Sequence, residues 1–280
     1  MPKIKVNDIT MNYDRQGSGE PLVLIPYLAA DLACYAFQVA EYAKHFTCIS
    51  VDLRGAGESD KPDGPYSTEQ FADDVSGFMK AIGVDRAHIS GLSLGAAAGI
   101  WLAAKHPEQV KSLSLHSGWS KTDSFMKDVV ESWQVLAKAL GSVHELIIRG
   151  IFPWCFTSDF YVEKSEYIQT LVGFVRSRPE QPVEAFIRQT EAVLAHDVES
   201  QLAKIKAPTQ ITFGKHDMIT TPQRAASLHT DIQGSELVIF DASSHAPIYE
   251  QTEEFNQRTL EFLQRHSGEQ ASRHASADKL

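Results

Sequence analysis

Short apolar runs recur along the chain, separated by segments in which apolar residues return at helical spacing. The runs predict strands at residues 3–7, 9–15, 21–26, 46–51, 87–90, 110–116, 209–213 and 237–240; the spaced segments predict helices at 35–44, 68–82, 96–104 and 251–265. In the helix at 68–82, Phe71, Val75 and Phe78 fall on one stripe. Strands that alternate with helices predict an α/β protein with an open, mostly parallel sheet.

The alternation stops in the middle of the chain. From about residue 121 to residue 203 the sequence is helical in character, and Pro208 then restarts the order strand, helix, strand. The pattern therefore predicts a helical insertion between the sixth and seventh strands.

The segment Gly91-Leu92-Ser93-Leu94-Gly95 joins a predicted strand to an Ala-rich helix. A serine at such a sharp turn is presented as a nucleophile, and the flanking glycines supply the missing Cβ atoms that the turn requires. Many proteins contain G-x-S-x-G as an ordinary loop, but here the strand before it and the helix after it supply the required context. Ser93 is the predicted nucleophile.

A serine hydroxyl needs a general base, and the base needs an acid that orients it. Two residues downstream suit these roles: Asp217, in a loop after the strand at 209–213, and His245, in a loop after the strand at 237–240. Loops at the carboxyl ends of strands are where an open α/β sheet collects its chemistry. We therefore predict Ser93, Asp217 and His245 as a catalytic triad.

These residues, with the loops at 52–60 and 214–222, resemble the α/β-hydrolase superfamily over residues 3–265. The resemblance implies a mostly parallel, doubly wound sheet with a helical cap inserted between the sixth and seventh strands. It divides the chain into a first core part at 1–120, a cap at 121–203 and a second core part at 204–266. The lack of large apolar residues before the final leucine predicts a disordered tail at 267–280. Some members carry the acid after the sixth strand, but the stretch at 116–120 has no carboxylate, which favours Asp217.

An oxyanion hole needs two N–H donors aimed at the attacked carbonyl oxygen. One is expected from the backbone of Leu94, directly after the nucleophile. The family resemblance places the second after the third strand, where many members have His-Gly; this chain has Pro26-Tyr27 there, so the second donor would be the N–H of Leu28. Tyr27 is either a phenolic donor to the site or an aromatic that holds the loop.

The resemblance also implies that the cap supplies much of the pocket wall and therefore the substrate selectivity. Many cap aromatics would form the cap's own core, but the dense group at 152–156 predicts that one or two rings face the substrate. We predict Tyr27, Trp119 and Trp154 as substrate-binding residues in an apolar pocket.

Composition limits the classes of function. The 280 residues are 43% hydrophobic, enough for a large core, and 26 basic against 36 acidic residues give a net charge of −10, which argues against nucleic-acid or anionic-membrane partners. Cys34, Cys48 and Cys155 lack ligand spacing and cannot all pair, so free thiols in a reducing compartment are expected, and no metal or cofactor is needed.

The ends of the chain add little to the function. The N-terminus lacks an apolar signal-like run and no long apolar stretch follows, so we interpret the protein as cytoplasmic. The tail at 267–280 is expected to have no part in the function.

The sequence therefore predicts a serine hydrolase that cleaves small, largely apolar esters or lactones through an acyl-enzyme, as a monomer or homodimer. Within the family, the chain resembles 3-oxoadipate enol-lactonases and simple carboxylesterases. The serine nucleophile excludes haloalkane dehalogenases and epoxide hydrolases, which attack with Asp. Carbon-carbon bond and amide hydrolases share the triad and remain alternatives, as does a ligand-sensing receptor with weak turnover.

Overall fold

A computed structural model describes residues 1–268 and shows a sheet of eight strands over that range. The strands are β1 (Lys3–Val6), β2 (Ile9–Gly17), β3 (Pro21–Ile25), β4 (Thr47–Val51), β5 (Ala87–Leu92), β6 (Val110–His116), β7 (Thr209–Gly214) and β8 (Glu236–Phe240). Their order is β1-β2-β4-β3-β5-β6-β7-β8, antiparallel from β1 to β4 through β2 and parallel from β4 to β8. The predicted mostly parallel sheet is confirmed. Most of the predicted tail, residues 269–280, lies outside the described residues.

Helices flank the strands as the sequence pattern predicts. They are α1 (Ala36–Tyr42), α2 (Thr68–Ala81), α3 (Leu94–Lys105), α4 (Ser124–Leu140), α5 (Val143–Leu146), α6 (Phe152–Cys155), α7 (Ser158–Glu163), α8 (Ser165–Ser177), α9 (Val183–Leu194), α10 (Pro222–Asp231), α11 (Pro247–Glu250) and α12 (Thr252–Arg265). A π-helical turn, Ile147–Ile151, joins α5 to α6. In α2 the side chain of Ser67 accepts a hydrogen bond from the Gln70 N–H and caps the first turn.

Side chains of the central strands enter two separate cores because successive residues of a strand point to opposite faces. On β3, Leu22 and Leu24 pack into one core with Phe240 and Phe262, whereas Val23 and Ile25 pack into the other with the α2 and α3 side chains. All residues of β4, β5 and β7 are buried. A parallel sheet covered on both faces has this property, which explains the continuous apolar runs in the sequence.

Helices α4 to α9 all lie in the connection between β6 and β7. The two ends of this insertion lie side by side: the Thr122 N–H donates to the carbonyl of His196, and the Val198 N–H donates to the carbonyl of Ser120. The insertion therefore leaves the sheet and returns to it at one place. The division of the chain into core and cap at the bounds given above stays a prediction.

Candidate active site

Ser93 occupies the turn between β5 and α3 with φ 53° and ψ −113°. A positive φ is costly for a residue with a Cβ, so the turn is held by its surroundings. A Cβ on Gly91 would collide with the carbonyl of Gly95, and one on Gly95 would collide with the carbonyl of Ile25. The steric reason inferred from the sequence for both glycines is therefore present in the structure.

Asp217 and His245 follow β7 and β8, which are neighbouring parallel strands, so their loops meet at the same edge of the sheet. Nδ1 of His245 lies 2.8 Å from Oδ2 of Asp217. Both residues are buried, and His245 lines the same cavity as Ser93. The structure thus brings the three predicted residues to one place.

The carboxylate of Asp217 is fixed by its own loop. Oδ1 accepts hydrogen bonds from the N–H groups of Ile219 (2.8 Å) and Thr220 (2.9 Å), and Oδ2 accepts one from the Thr220 hydroxyl (2.9 Å). Thr220 was not predicted from the sequence, although an Asp that caps the N–H groups two and three residues later is a common turn signal. The acid therefore has a single orientation towards His245.

The loop that carries His245 is tied to the end of β6. The Ser117 hydroxyl donates to the carbonyl of His245 at 3.0 Å, and the Ser93 N–H donates to the carbonyl of His116 at 2.8 Å. Ser117 itself has a φ of 48°. One strained strand end thus holds both the nucleophile turn and the histidine loop.

The two expected oxyanion donors come from different elements, Leu94 from the start of α3 and Leu28 from the loop after β3. Leu94 is the first residue of α3, and the first N–H groups of a helix have no partner within the helix. Leu28 lines the cavity. Among residues 1–268, neither N–H donates to a backbone carbonyl in a turn or loop. Neither N–H is therefore used by such a bond, and both can donate to a substrate oxygen.

Tyr27 uses its phenol to hold the loop after β3. Its hydroxyl lies 2.9 Å from that of Tyr249, which donates to the carbonyl of Cys34 at 3.0 Å, so Tyr27 is the donor in the phenol pair. Burial raises the pKa of both phenols well above the ordinary value, so both stay protonated at neutral pH. Of the two roles given to Tyr27 above, the hydrogen bonds favour the loop-holding one.

The cavity beside Ser93 has a volume of about 110 Å³. An engineered apolar cavity of similar size, about 150 Å³, binds benzene, so the space suits a short acyl chain or a single ring. Its apolar lining comes from both the core and the inserted helices, and includes Leu28, Trp119, Met126, Val130, Trp133, Ile147, Ile151, Phe152, Phe156, Phe174 and Val193.

Two of the three predicted substrate-binding residues, Tyr27 and Trp119, line this cavity. Trp154 is absent from the lining that the described residues form; its ring packs edge-on against Phe125, with centroids 6.5 Å apart. Phe152 and Phe156 of the same aromatic group do line it. The structure therefore places the cavity-facing rings two residues before and after Trp154.

Other prominent residues have structural roles. The buried Arg54 donates to Asp74 and Asp8, and its pKa is raised because these two carboxylates outweigh its burial. Asp52 accepts from Leu32 N–H, Glu58 N–H and the Asn12 amide. His216 is exposed. No cluster of three or more metal-ligating side chains occurs within residues 1–268.

The sequence did not predict several polar residues of the cavity wall, among them Asp31, Arg178 and Gln181. Arg178 Nε donates to Asp31 Oδ2 at 2.6 Å, across 147 positions of the chain. Pairs so distant in sequence leave no local pattern, so no signal in this single sequence could have found them.

Comparison with known proteins agrees with the fold. The sequence model of the alpha/beta hydrolase fold matches residues 19–144. The crystal structure of the enol-lactonase from Burkholderia xenovorans LB400 is 30% identical, with a TM-score of 0.85, and the match covers 94% of this chain and all of that one. The putative carbamate hydrolase RutD of Azorhizobium caulinodans is 26% identical over 94% of this chain and 98% of its own length.

A further relative is 3-oxoadipate enol-lactonase 2 of Acinetobacter baylyi, which is 26% identical over 90% of this chain and 92% of its own length. The relatives thus span nearly the whole chain. In the part of the chain that the structure describes, no helix is long and apolar enough to cross a bilayer.

Proposed function

This chain belongs to the α/β-hydrolase superfamily, and we propose that it is a serine hydrolase that cleaves carboxylic esters or lactones of small, largely apolar substrates. The observation that carries the proposal is the 2.8 Å hydrogen bond between His245 and Asp217 beside a cavity that Ser93 also lines. A strained serine, an oriented imidazole and a buried carboxylate together form the arrangement that activates a hydroxyl nucleophile.

In the proposed reaction, His245 takes the proton of Ser93 as its Oγ attacks the substrate carbonyl carbon. The N–H groups of Leu28 and Leu94 bind the oxygen that becomes negative. His245 then gives the proton to the leaving alcohol, which leaves an acyl-enzyme, and finally activates a water molecule that hydrolyses it. Asp217 keeps the imidazole in the tautomer with hydrogen on Nδ1 and stabilises its charged form.

The apolar lining and the small cavity support a short or single-ring acyl group. Two relatives are an enol-lactonase and a 3-oxoadipate enol-lactonase, which favours esters and lactones over other carbonyl compounds. The carbamate hydrolase relative makes carbamates the alternative to include in any test.

The test is a panel of initial hydrolysis rates: p-nitrophenyl esters of increasing chain length, several lactones, a carbamate, an amide and a vinylogous diketone. We expect short esters or lactones to react fastest, and Ser93→Ala to lower kcat by at least about 10³-fold, because triad members act as a unit. Ser132→Ala, at an exposed position of α4, is the matched control and should match the parent protein.

Two results would count against the proposal. If Ser93→Ala kept about a tenth of the activity or more, the nucleophile would be wrong. If a Ser93-dependent rate were confined to the carbamate, the amide or the diketone, the nucleophile would stand and the ester or lactone substrate would be wrong.

A further inference from the structure

Three polar residues of the cavity lining, Asp31, Arg178 and Gln181, are called the polar cluster below. The lining also contains His144, the triad residues Ser93 and His245, and the Tyr27 and Tyr249 pair. Asp31 follows β3, whereas Arg178 and Gln181 lie in the connection between α8 and α9. The proposed reaction uses none of them. Polar groups in an apolar pocket fix the orientation of a ligand, so their bonding state indicates what they would bind.

Asp31 and Arg178 neutralise each other. The Asp31 side chain is 6% exposed, and it accepts from Arg178 Nε at 2.6 Å and from the Ala33 N–H at 3.0 Å. A guanidinium has five N–H donors, and this pair uses the one on Nε, which leaves the terminal nitrogens for another acceptor. Because the two charges cancel, the cluster offers hydrogen bonds without a net positive charge.

Gln181 carries an unused acceptor. Its Nε2 donates to the Gly55 carbonyl (2.7 Å) and to Gln189 Oε1 (3.0 Å). Both partners can only accept, so the orientation of the amide is fixed by the network. Gln181 is 4% exposed, and among residues 1–268 its Oε1 has no hydrogen-bond partner. An unsatisfied buried acceptor is costly, and a ligand that donates to it removes that cost.

We propose that the polar cluster is a subsite for a neutral polar group with both an acceptor and an N–H or O–H donor, such as a primary carboxamide, on the uncleaved part of the substrate. The inference rests on the proposed function, since it assigns a further part of the same substrate. The carbonyl oxygen of the amide accepts from Arg178 and its NH₂ donates to Gln181. A carboxylate lacks the donor, and the neutralised pair of Asp31 and Arg178 offers it no net positive charge.

The experiment measures binding without turnover, by ligand-observed NMR titration of three compounds of matched shape: butanamide, butanoate and methyl propyl ketone. The ketone keeps the acceptor but lacks the donor. We expect butanamide to bind about tenfold more tightly than either of the others, as one well-placed hydrogen bond allows. Equal or tighter binding of butanoate or the ketone would overturn the inference.

Asp31→Asn provides the second readout. Asn keeps the acceptor for the Ala33 N–H but leaves Arg178 with a free positive charge, so the order should reverse and butanoate should bind more tightly than butanamide. Asp63→Asn is the matched control, because Asp63 is fully exposed and pairs with Arg188 outside the cavity lining. It should keep the parent order. An unchanged order in Asp31→Asn would contradict the inference.

A negative result for the subsite can be told apart from a negative result for the proposed function. The binding order decides only the polar cluster, whereas the Ser93-dependent rates decide only the reaction. A protein that hydrolyses esters but binds the three compounds equally would keep the reaction and lose the subsite.

Discussion

The carboxylate of Asp217 is held by two backbone N–H groups and one hydroxyl in addition to His245. The two N–H groups and the hydroxyl donate to the carboxylate, which as an anion can only accept hydrogen bonds. His245 must then carry hydrogen on Nδ1, and its Nε2 has the lone pair that a general base needs. The Asp217 carboxylate thus determines which ring nitrogen of His245 carries the hydrogen.

Asp217→Asn tests this assignment. The Asn carbonyl can still accept from Ile219 and Thr220, but its NH₂ would donate to Nδ1 and move the imidazole hydrogen to Nε2. We expect kcat to fall by about 10⁴-fold with little change in KM, as in other triads with this substitution. Steady-state kinetics with the best substrate of the panel measures the effect.

The control is Asp241→Asn, in the adjacent loop, where the carboxylate is 82% exposed and pairs with Lys215. It should leave kcat unchanged. A loss of less than about tenfold in Asp217→Asn would rule out Asp217 as the orienting acid.

Between elements, the loop after β3 is held from two directions. On one side Tyr27 donates to Tyr249, which lies on α11 just after the His245 loop. On the other side the Ala29 N–H donates to Gln189 of α9 at 3.4 Å, and Ala29 has a φ of 61°. A sheet loop, a helix of the insertion and the histidine segment therefore fix the position of Leu28 together.

Tyr249→Phe is expected to act through that position. The change removes the acceptor of Tyr27 and the donor to Cys34, so the loop can shift and weaken the oxyanion contact of Leu28. Loss of one complete oxyanion donor costs about 10²–10³-fold in kcat, and a displaced donor should cost about tenfold, with KM nearly constant. Rates across the ester series measure this split.

Tyr66→Phe serves as the comparison, because its phenol also donates to a backbone carbonyl, that of Pro62 at 2.7 Å, but lies outside the cavity lining. Each variant should lose about 1 kcal/mol of unfolding free energy, and only Tyr249→Phe should lose kcat. If the two variants had the same kcat, the Tyr27 and Tyr249 pair would have no part in positioning.

Across the whole molecule, the sequence predicted those features that have a local pattern. Ser93 stands in a strand-turn-helix signature, and Asp217 and His245 follow strands whose apolar runs are plain. The parallel sheet then brings the ends of these strands together, so local patterns were enough to assemble the site.

The interior of the insertion could not be predicted in the same way. Phe152 lines the cavity from the start of α6 and Phe156 from the extended residue that follows the helix, whereas Trp154 packs against Phe125. Placing these rings requires knowing where α6 ends and which side faces inward, and both depend on packing with distant segments. The ion pair of Asp31 and Arg178 depends on the same long-range packing.

Two buried histidines affect the stability of the whole fold. His116 lies within the sheet between Ser90 and Thr212, and His196 bonds the Thr68 hydroxyl and the Trp119 carbonyl at the base of the insertion. Burial lowers the pKa of His116 to about 3 and that of His196 to about 4. Both are therefore neutral in the folded protein at any pH above about 5.

Because the unfolded chain has ordinary histidines with pKa values of about 6.5, it binds protons below that pH while the folded state does not. The stabilisation from each neutral histidine is therefore fully present above about pH 6.5. It falls as the pH decreases towards the folded pKa values, by about 2 kcal/mol of unfolding free energy per histidine between about pH 7 and about pH 5.

His116→Gln should remove the pH-dependent contribution of one histidine. The free energy of unfolding is measured with urea at about pH 7 and about pH 5. Between these two pH values the variant should lose about 2 kcal/mol less than the parent protein loses, whatever its absolute stability. His45→Gln, at an exposed position, should retain the parent loss, and equal losses in all three proteins would mean that His116 is not kept neutral by burial.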